Sequence, residues 1–214
     1  MPDLLRNIDF VDGYVANDDR QNPAEWFSEG DVRRRLIADA RAQGADWVLV
    51  IDPDERLEPT AGDQIRAFMR AHQGERVIGG FRVRELWSAT HFRVDGVWGH
   101  KRRWGLFPVT GPVTMTDKPV HGEPYPLDPD FRRIMLDVDL FHLKMMSARA
   151  RRARRDLYNR LDPDRVYQAI GYDYLAEEDD MELVAIEPAR RFRPRRPAWW
   201  LRHQVHRAIA PIER

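Results

Sequence analysis

The sequence predicts an α/β fold, and three observations support that prediction. Residues 47–51 (Trp-Val-Leu-Val-Ile) form a short, continuously apolar run rich in β-branched side chains. Such a run is typical of a strand that is covered on both faces in a parallel sheet. Apolar residues recur at helical spacing on either side of it, in 32–43 and in 60–72. The chain has 214 residues, of which 43% are hydrophobic, which is enough for one domain with its own core.

Composition disfavours several classes of protein. Lys plus Arg and Asp plus Glu both number 35, so the formal net charge is zero, whereas a nucleic-acid binder is normally basic. The chain has no cysteine, which excludes disulfides, a thiolate nucleophile and a Cys-type zinc site. No apolar run reaches the roughly 20 residues of a transmembrane helix, and the N-terminus lacks the apolar core of a signal peptide. We therefore expect a cytoplasmic protein.

The N-terminal part predicts alternating helices and strands. Residues 2–9 favour the end of a helix, and 10–16 favour a strand that a polar loop closes. The helix over 32–43 has Asp31 as its expected N-cap and Gly44 as its expected C-terminal stop.

Three consecutive arginines, Arg33 to Arg35, fall in the first turn of this predicted helix. The helix dipole disfavours cations at that end, so the three together indicate an anionic partner. A solvated basic surface is the alternative interpretation.

An acidic cluster follows the buried strand directly, with Asp52, Asp54 and Glu55 after Ile51. In open α/β sheets the carboxyl ends of the strands border the crevice in which ligands bind. Carboxylate oxygens at this spacing suit Mg²⁺ or Mn²⁺, which completes its coordination with water and phosphate oxygens. An ordinary surface turn is the alternative, since Asp and Pro are turn formers.

Downstream of the acidic cluster, periodicity predicts further helices and strands. These are a helix over 60–72, a strand over 77–87, a strand over 137–144, a helix over 147–161 capped by Ser147, and a shorter helix over 165–170 closed by Gly171. Glu85 falls on the apolar face of its strand, where it is either a paired structural residue or part of a substrate site. The helix over 147–161 has an apolar side, formed by Ala150, Ala153, Leu157, Tyr158 and Leu161, and arginines on the other side.

Residues 44–55 (Gly-Ala-Asp-Trp-Val-Leu-Val-Ile-Asp-Pro-Asp-Glu) resemble the segment of family 2 glycosyltransferases that carries their Asp-x-Asp motif, in the variant extended by Glu. The resemblance covers roughly 10–171. It is clear again at 140–143 (Leu-Phe-His-Leu), which a basic helix and the Asp-Pro pair at 162–163 follow.

The resemblance implies the GT-A fold, a mixed sheet flanked by helices. Residues 1–145 would form the catalytic domain, 146–189 a helical extension packed on it, and 190–214 a basic aromatic tail. A tail in which Arg and Trp alternate suits an anionic membrane surface, so a peripheral membrane contact is expected there.

The function that the resemblance implies is an inverting transfer of a sugar from a nucleotide-sugar donor to a glycan, lipid or protein acceptor. A divalent cation, Mn²⁺ or Mg²⁺, would be held against the donor diphosphate. The implied residues are Asp52, Asp54 and His142 for the metal, Asp18, Asp19, Arg33, Arg34, Asp52 and Lys101 for the donor, and Glu123, then Asp117, for the base. Such a base removes the proton of the acceptor hydroxyl.

The chain departs from the family at its start, and two other function classes stay open. Family members begin with a strand and a loop before the first helix, whereas Met1 falls where that helix should already run, so a truncated and inactive fragment is one alternative. The second is a module that binds a polyanion, nucleic acid or anionic membrane, through 149–155 and 190–196. A nucleotidyltransferase would need a Gly-rich phosphate loop near the N-terminus, which the sequence lacks.

Overall fold

The structure, a computed structural model, describes residues 29–118, 122–166 and 168–191, and their fold is mixed α/β. The described α-helices are α1 (Glu29–Ala42), α2 (Ala61–Ala71) and α3 (Ala148–Leu161). The strands are β1 (Trp47–Leu49), β2 (Glu55–Leu57), β3 (Val77–Glu85), β4 (His91–Arg93), β5 (Arg102–Pro108), β6 (Arg132–His142) and β7 (Leu183–Ala185). Two short 3₁₀ turns occupy Gly96–Trp98 and Asp173–Leu175.

The main sheet has five strands in the order β1-β5-β3-β6-β2, and β4 pairs with β7 in a separate two-stranded sheet. In the main sheet β3 and β6 run parallel, and the other neighbouring pairs are antiparallel. The parallel register pairs Glu85 with His142 at the carboxyl ends of β3 and β6. The antiparallel strand β2 places Glu55 opposite the same histidine. The topology therefore gathers charged residues at one end of the sheet.

Helices cover the sheet through apolar side chains. Ile65 and Phe68 of α2 pack with Phe81 of β3 in one core cluster, and Ile37 of α1 packs with Phe107 of β5 in another. Helix α2 has the apolar spacing that periodicity predicted, and β3 alternates buried Phe81 with half-buried arginines.

Several predicted elements are confirmed at or near their expected bounds. Helix α2 lies within 60–72, β3 lies within 77–87, and β6 contains most of 137–144. Ser147 caps α3, since its hydroxyl accepts a hydrogen bond from the amide of Ala150. Gly44 ends α1 with a φ of +80°, a conformation that favours glycine.

The prediction for the strand over 47–51 is wrong in two respects. Strand β1 spans three half-buried residues at an edge of the described sheet, and its neighbour β5 is antiparallel to it. An apolar run indicates that a segment is at least partly buried. It does not indicate whether the neighbouring strand runs parallel or antiparallel to it. Asp31 is also not the N-cap of α1, because the helix begins at Glu29.

Helix α3 forms as predicted, but it turns a different side inward. Ala150, Ala153, Leu157 and Leu161 are exposed, while Arg151 is buried. Nη1 of Arg151 donates to the carbonyl of Met145 at 2.6 Å, and its guanidinium lies 4.3 Å from the ring centre of Trp87. These contacts with neighbouring segments fix the orientation of the helix against its own apolar pattern.

The predicted helix over 165–170 is not found among the described residues of that range. The amides of Val166 and Gln168 instead donate to the carboxylate of Asp162, which closes a turn after α3. Gly171 ends this turn with a φ of +71°.

The predicted helix over 2–9, the strand over 10–16, Asp18, Asp19 and residues 192–214 of the tail lie outside the described residues. None of the helices in the described ranges combines the length and the apolar character that crossing a membrane requires.

Candidate functional site

A polar cavity of about 460 Å³ opens at the end of the sheet where β3 and β6 finish. Helix α1, the loop after β1, strand β5, the segment after β6 and helix α3 all contribute to its wall. The lining residues are Arg33, Asp52, Asp54, Arg103, Gly122, His142, Lys144, Arg154 and Tyr158. The cavity thus joins residues from distant parts of the sequence.

The loop that carries Asp52 and Asp54 is held by backbone hydrogen bonds. The amide of Glu55 donates to the carbonyl of Asp52 at 3.0 Å, and the Glu55 carboxylate accepts from the amide of Asp52 at 2.9 Å. The amide of Leu143 donates to the carbonyl of Asp54 at 2.8 Å, which ties the loop to the end of β6. Both aspartates are therefore fixed at the cavity wall by the main chain.

Polar contacts link Lys101 to Glu85 and Glu85 to His142. Nζ of Lys101 lies 2.8 Å from Oε1 of Glu85, and Nδ1 of His142 lies 3.1 Å from the same oxygen. Burial by itself raises the pKa of Glu85, but the hydrogen bond from His142 and the positive charge of Lys101 outweigh it and lower the pKa to about 2. Glu85 is therefore ionised at neutral pH although its side chain is only 1% exposed.

The other nitrogen of His142 faces the acidic loop. Its Nε2 lies 3.4 Å from Oδ2 of Asp54. When Nδ1 carries the proton and donates it to Glu85, Nε2 is left with a lone pair that points toward the cavity. A cation between Asp54 and Nε2 of His142 would stabilise this arrangement.

Arg103 neutralises the first aspartate. Nη2 of Arg103 lies 2.9 Å from Oδ2 of Asp52, and its Nε lies 3.5 Å from Oε1 of Glu55. Burial raises the pKa of Glu55, and the amide of Asp52 and the charge of Arg103 oppose that rise. Asp52 and Glu55 therefore share one cation.

Positive charge exceeds negative charge on the cavity wall. Four basic side chains, Arg33, Arg103, Lys144 and Arg154, line it together with two carboxylates, those of Asp52 and Asp54. Burial lowers the pKa of Lys144, since desolvation disfavours its charged form. A concave wall with an excess of cations attracts anions, and guanidinium groups match phosphate oxygens in geometry.

The structure brings together some of the predicted site residues. Arg33, Asp52, Asp54 and His142 all line the cavity. Lys101 lies behind the cavity, in its ion pair with Glu85.

Three other predicted residues are not among those that line the cavity. Nη1 of Arg34 donates to the carboxylate of exposed Asp117 at 2.7 Å. Glu123 forms an ion pair of 2.8 Å with Lys118, and that hydrogen bond lowers the pKa of its carboxyl. The candidate donor residue Arg34 and both candidate bases are therefore occupied by contacts outside the cavity.

Sequence reasoning missed Arg103, Lys144, Arg154 and Tyr158, and it left the role of Glu85 open. Arg154 and Tyr158 are four residues apart, so they share a face of α3, and that spacing is the signal that could have joined them. Arg103 reaches the acidic loop through the pairing of β5 with β1.

The donor set can be compared with what a divalent cation needs. Within the described ranges, no three His, Asp or Glu side chains converge as a metal-binding group. Asp54 and His142 offer two donors that face each other, while the carboxylate of Asp52 is engaged by Arg103. Mg²⁺ and Mn²⁺ in phosphate sites take one or two carboxylates and complete their shell with water and phosphate oxygens. The residues fit an ion that binds together with a phosphate ligand.

Comparison with known proteins adds no relative. A scan against protein-family models finds no family that matches this chain, and a search of curated proteins finds no match either. The chemistry of the cavity is therefore the basis for assigning a function.

Proposed function

We propose that this protein is an inverting glycosyltransferase of the GT-A type, which transfers a sugar from a nucleotide-sugar to an acceptor. One observation carries the proposal. Asp52, Asp54 and His142 meet at the carboxyl ends of the strands, in a cavity that also holds four basic side chains. The mixed sheet and the resemblance of residues 44–55 to the Asp-x-Asp segment of family 2 glycosyltransferases support the same assignment.

The basic side chains would bind the donor diphosphate. Arg33, Arg103 and Arg154 present guanidinium groups to the cavity, and Lys144 adds an ammonium group. Charge-assisted hydrogen bonds from such groups to phosphate are about twice as strong as neutral ones. They would also stabilise the negative charge that develops on the departing nucleoside diphosphate.

Asp54 and His142 would hold a divalent cation, Mn²⁺ or Mg²⁺, with Asp52 beside them. When bound, the ion supplies Lewis-acid stabilisation of the leaving diphosphate. Glu85 would keep the Nε2 lone pair of His142 directed into the cavity, because it accepts the hydrogen bond from Nδ1.

Inversion also needs a base for the acceptor proton. Glu123 is our first candidate because it follows Gly122, which lines the cavity. The hydrogen bond from Lys118 lowers the pKa of the Glu123 carboxyl, and release from Lys118 in a drier, substrate-filled cavity would raise that pKa and the basicity of the carboxylate. Asp117, paired with Arg34, is the second candidate.

The alternative of a polyanion-binding module has less support. Arg155 pairs with Asp156, and Arg151 pairs with Glu178. Arg190 bonds the carboxylates of Glu58 and Asp137. These arginines already neutralise acidic groups of the same chain.

The test is binding of a panel of nucleoside diphosphates to the full chain, measured by calorimetry with Mn²⁺ and with a chelator. We expect one nucleotide to bind in a Mn²⁺-dependent manner, and we expect Asp54→Ala to abolish that binding. Asp63→Ala is the matched control, because Asp63 lies on the surface of α2 and pairs with Arg66. Nucleotide binding that is the same with Mn²⁺ and with a chelator, and that Asp54→Ala does not change, would contradict the proposal. Failure to bind any nucleotide, together with salt-sensitive binding to nucleic acid that Asp54→Ala leaves unchanged, would favour the binding module.

A further inference from the structure

Helix α3 has an exposed apolar face. The face consists of Ala150, Ala153, Leu157 and Leu161, all of them exposed. Their spacing of three and four residues places them on one side of the helix. Leu157 is 43% exposed and Leu161 is 65% exposed, and we call this surface the α3 apolar face.

Exposed apolar side chains continue on both ends of this helix. Met146 precedes the cap residue, and Val166 and Ile170 follow in the turn after Asp162. Single exposed apolar residues are common on protein surfaces, whereas large contiguous apolar patches are a feature of interaction sites.

A neighbouring side of α3 is fixed against the rest of the protein. Arg151 bonds Glu178 and the carbonyl of Met145, and Tyr158 packs against Tyr172 with ring centres 5.1 Å apart. Arg154 and Tyr158 line the polar cavity. Rotation of the helix to bury Leu157 and Leu161 would break these contacts, so the apolar face points outward from the part of the chain that the structure describes.

Basic residues border the α3 apolar face. Helix α3 contains six arginines and one aspartate, and Arg149, Arg152 and Arg160 are exposed. Two copies of this helix packed face to face would bring like charges together. The charge pattern instead suits a partner with negative charge around an apolar interior.

We propose that the α3 apolar face docks this protein on an anionic lipid surface. Leucine side chains of a convex helix insert at the boundary between headgroups and acyl chains, while arginines keep their guanidinium groups at the headgroup level. Each basic residue near such a surface adds electrostatic attraction to anionic lipid. This docking needs only the outer side of α3, so it does not depend on the function of the cavity.

Co-sedimentation of the full chain with sucrose-loaded vesicles tests the proposal. We expect binding to vesicles of phosphatidylcholine mixed with phosphatidylglycerol, and much weaker binding to phosphatidylcholine alone. The double variant Leu157→Gln/Leu161→Gln keeps the charge and removes the two largest apolar groups of the face. It should bind the anionic vesicles about tenfold more weakly.

A matched control is Leu36→Gln/Leu127→Gln, whose leucines are 48% and 46% exposed and lie outside α3. This control should bind the anionic vesicles like the wild type, and both double variants should keep the wild-type circular dichroism spectrum. A third variant, Arg149→Gln/Arg160→Gln, should weaken binding and reduce its dependence on salt.

Three results would overturn the proposal. One is absence of binding to the anionic vesicles. Another is equal binding by the wild type and Leu157→Gln/Leu161→Gln, which would place the membrane contact elsewhere in the chain. The third is a dimer in sedimentation velocity that the same double variant dissociates, since that would make a second copy the occupant of the face.

Discussion

Glu85 and His142 end two parallel strands side by side, and Oε1 of Glu85 lies 3.1 Å from Nδ1 of His142. A similar pair lies on the surface, where Oε2 of Glu75 is 3.2 Å from Nδ1 of His72. Each glutamate also bonds a cation at 2.8 Å, Lys101 for Glu85 and Arg132 for Glu75. The two pairs differ in burial, because the Glu85 side chain is 1% exposed and the Glu75 side chain is 47% exposed.

Burial predicts that the two glutamates contribute differently to stability. Glu85→Gln removes the carboxylate from a buried cluster and leaves Lys101 without its counter-charge. We expect the free energy of unfolding to fall by about 3–5 kcal/mol, as for other broken buried pairs. Glu75→Gln should leave the free energy of unfolding nearly unchanged, since solvent screens exposed pairs. Urea unfolding at neutral pH measures both values, and equal losses would show that burial does not matter here.

Neighbouring arginines of α3 separate a cavity role from a general charge effect. Arg154 lines the cavity, whereas Arg155 pairs with Asp156. Arg154→Gln should weaken binding of the nucleoside diphosphate that the wild type binds with Mn²⁺ about tenfold, because the substitution removes a charged hydrogen-bond donor. Arg155→Gln removes the same charge and should have little effect. Calorimetric titrations of the two variants make the comparison, and equal weakening would point to long-range electrostatics instead of contact.

Two glycines should respond to alanine in opposite directions. A Cβ at Gly80 would lie 2.5 Å from Cε3 of Trp104 and 2.8 Å from the sulfur of Met135, in the packed sheet. Gly80→Ala should therefore lower the free energy of unfolding by about 1–3 kcal/mol through overpacking. A Cβ at Gly62 in α2 would meet only the flexible Arg66 guanidinium, at 3.5 Å.

Gly62→Ala should raise the free energy of unfolding by about 0.4–1 kcal/mol, because alanine loses less chain entropy in a helix. Urea midpoints of the two variants provide the measurement. A stabilised Gly80→Ala protein would mean that Trp104 can move away at no cost.

The pair of Arg93 and Asp95 predicts an acid-dependent part of stability. Arg93 donates three hydrogen bonds to the Asp95 carboxylate, at 2.7–2.9 Å, and thereby holds the pKa of that carboxyl below its usual range. A lowered pKa in the folded state stabilises the fold above the unfolded-state pKa, and this contribution is lost as the pH falls through the folded-state pKa.

Asp95→Asn should therefore cost about 1.5–3 kcal/mol at neutral pH, the value of a charged hydrogen bond, and the difference from wild type should shrink as the pH falls below 4. Urea unfolding at several pH values follows this change. Asp63→Asn serves as the control because Asp63 forms an exposed pair with Arg66. A difference between wild type and Asp95→Asn that does not vary with pH would contradict the electrostatic explanation.

Periodicity predicted the elements that are decided locally. Helix α2 and strand β3 lie within their predicted ranges, because Ile65, Phe68 and Phe81 bury the sides that their spacing defines. The partner and direction of β1 were not predictable in this way, since they depend on β5.

The candidate site shows the same division. The acidic loop at Asp52 and Asp54 was visible as a sudden change from apolar to acidic residues. Its basic partners were not visible, because Arg103 arrives through strand pairing and Arg154 through the orientation of α3. Contacts of Arg151 with Glu178 and Trp87 set that orientation. Both residues lie outside 147–161, so the pattern of that segment could not predict it.

Helix α3 turns one side toward the polar cavity and exposes an adjacent side to solvent. Because Ala148–Leu161 is one continuous helix, a ligand that tilts it through its leucines would also shift Arg154 and Tyr158. Docking on the outer surface and binding in the cavity would then both act on the position of the same helix.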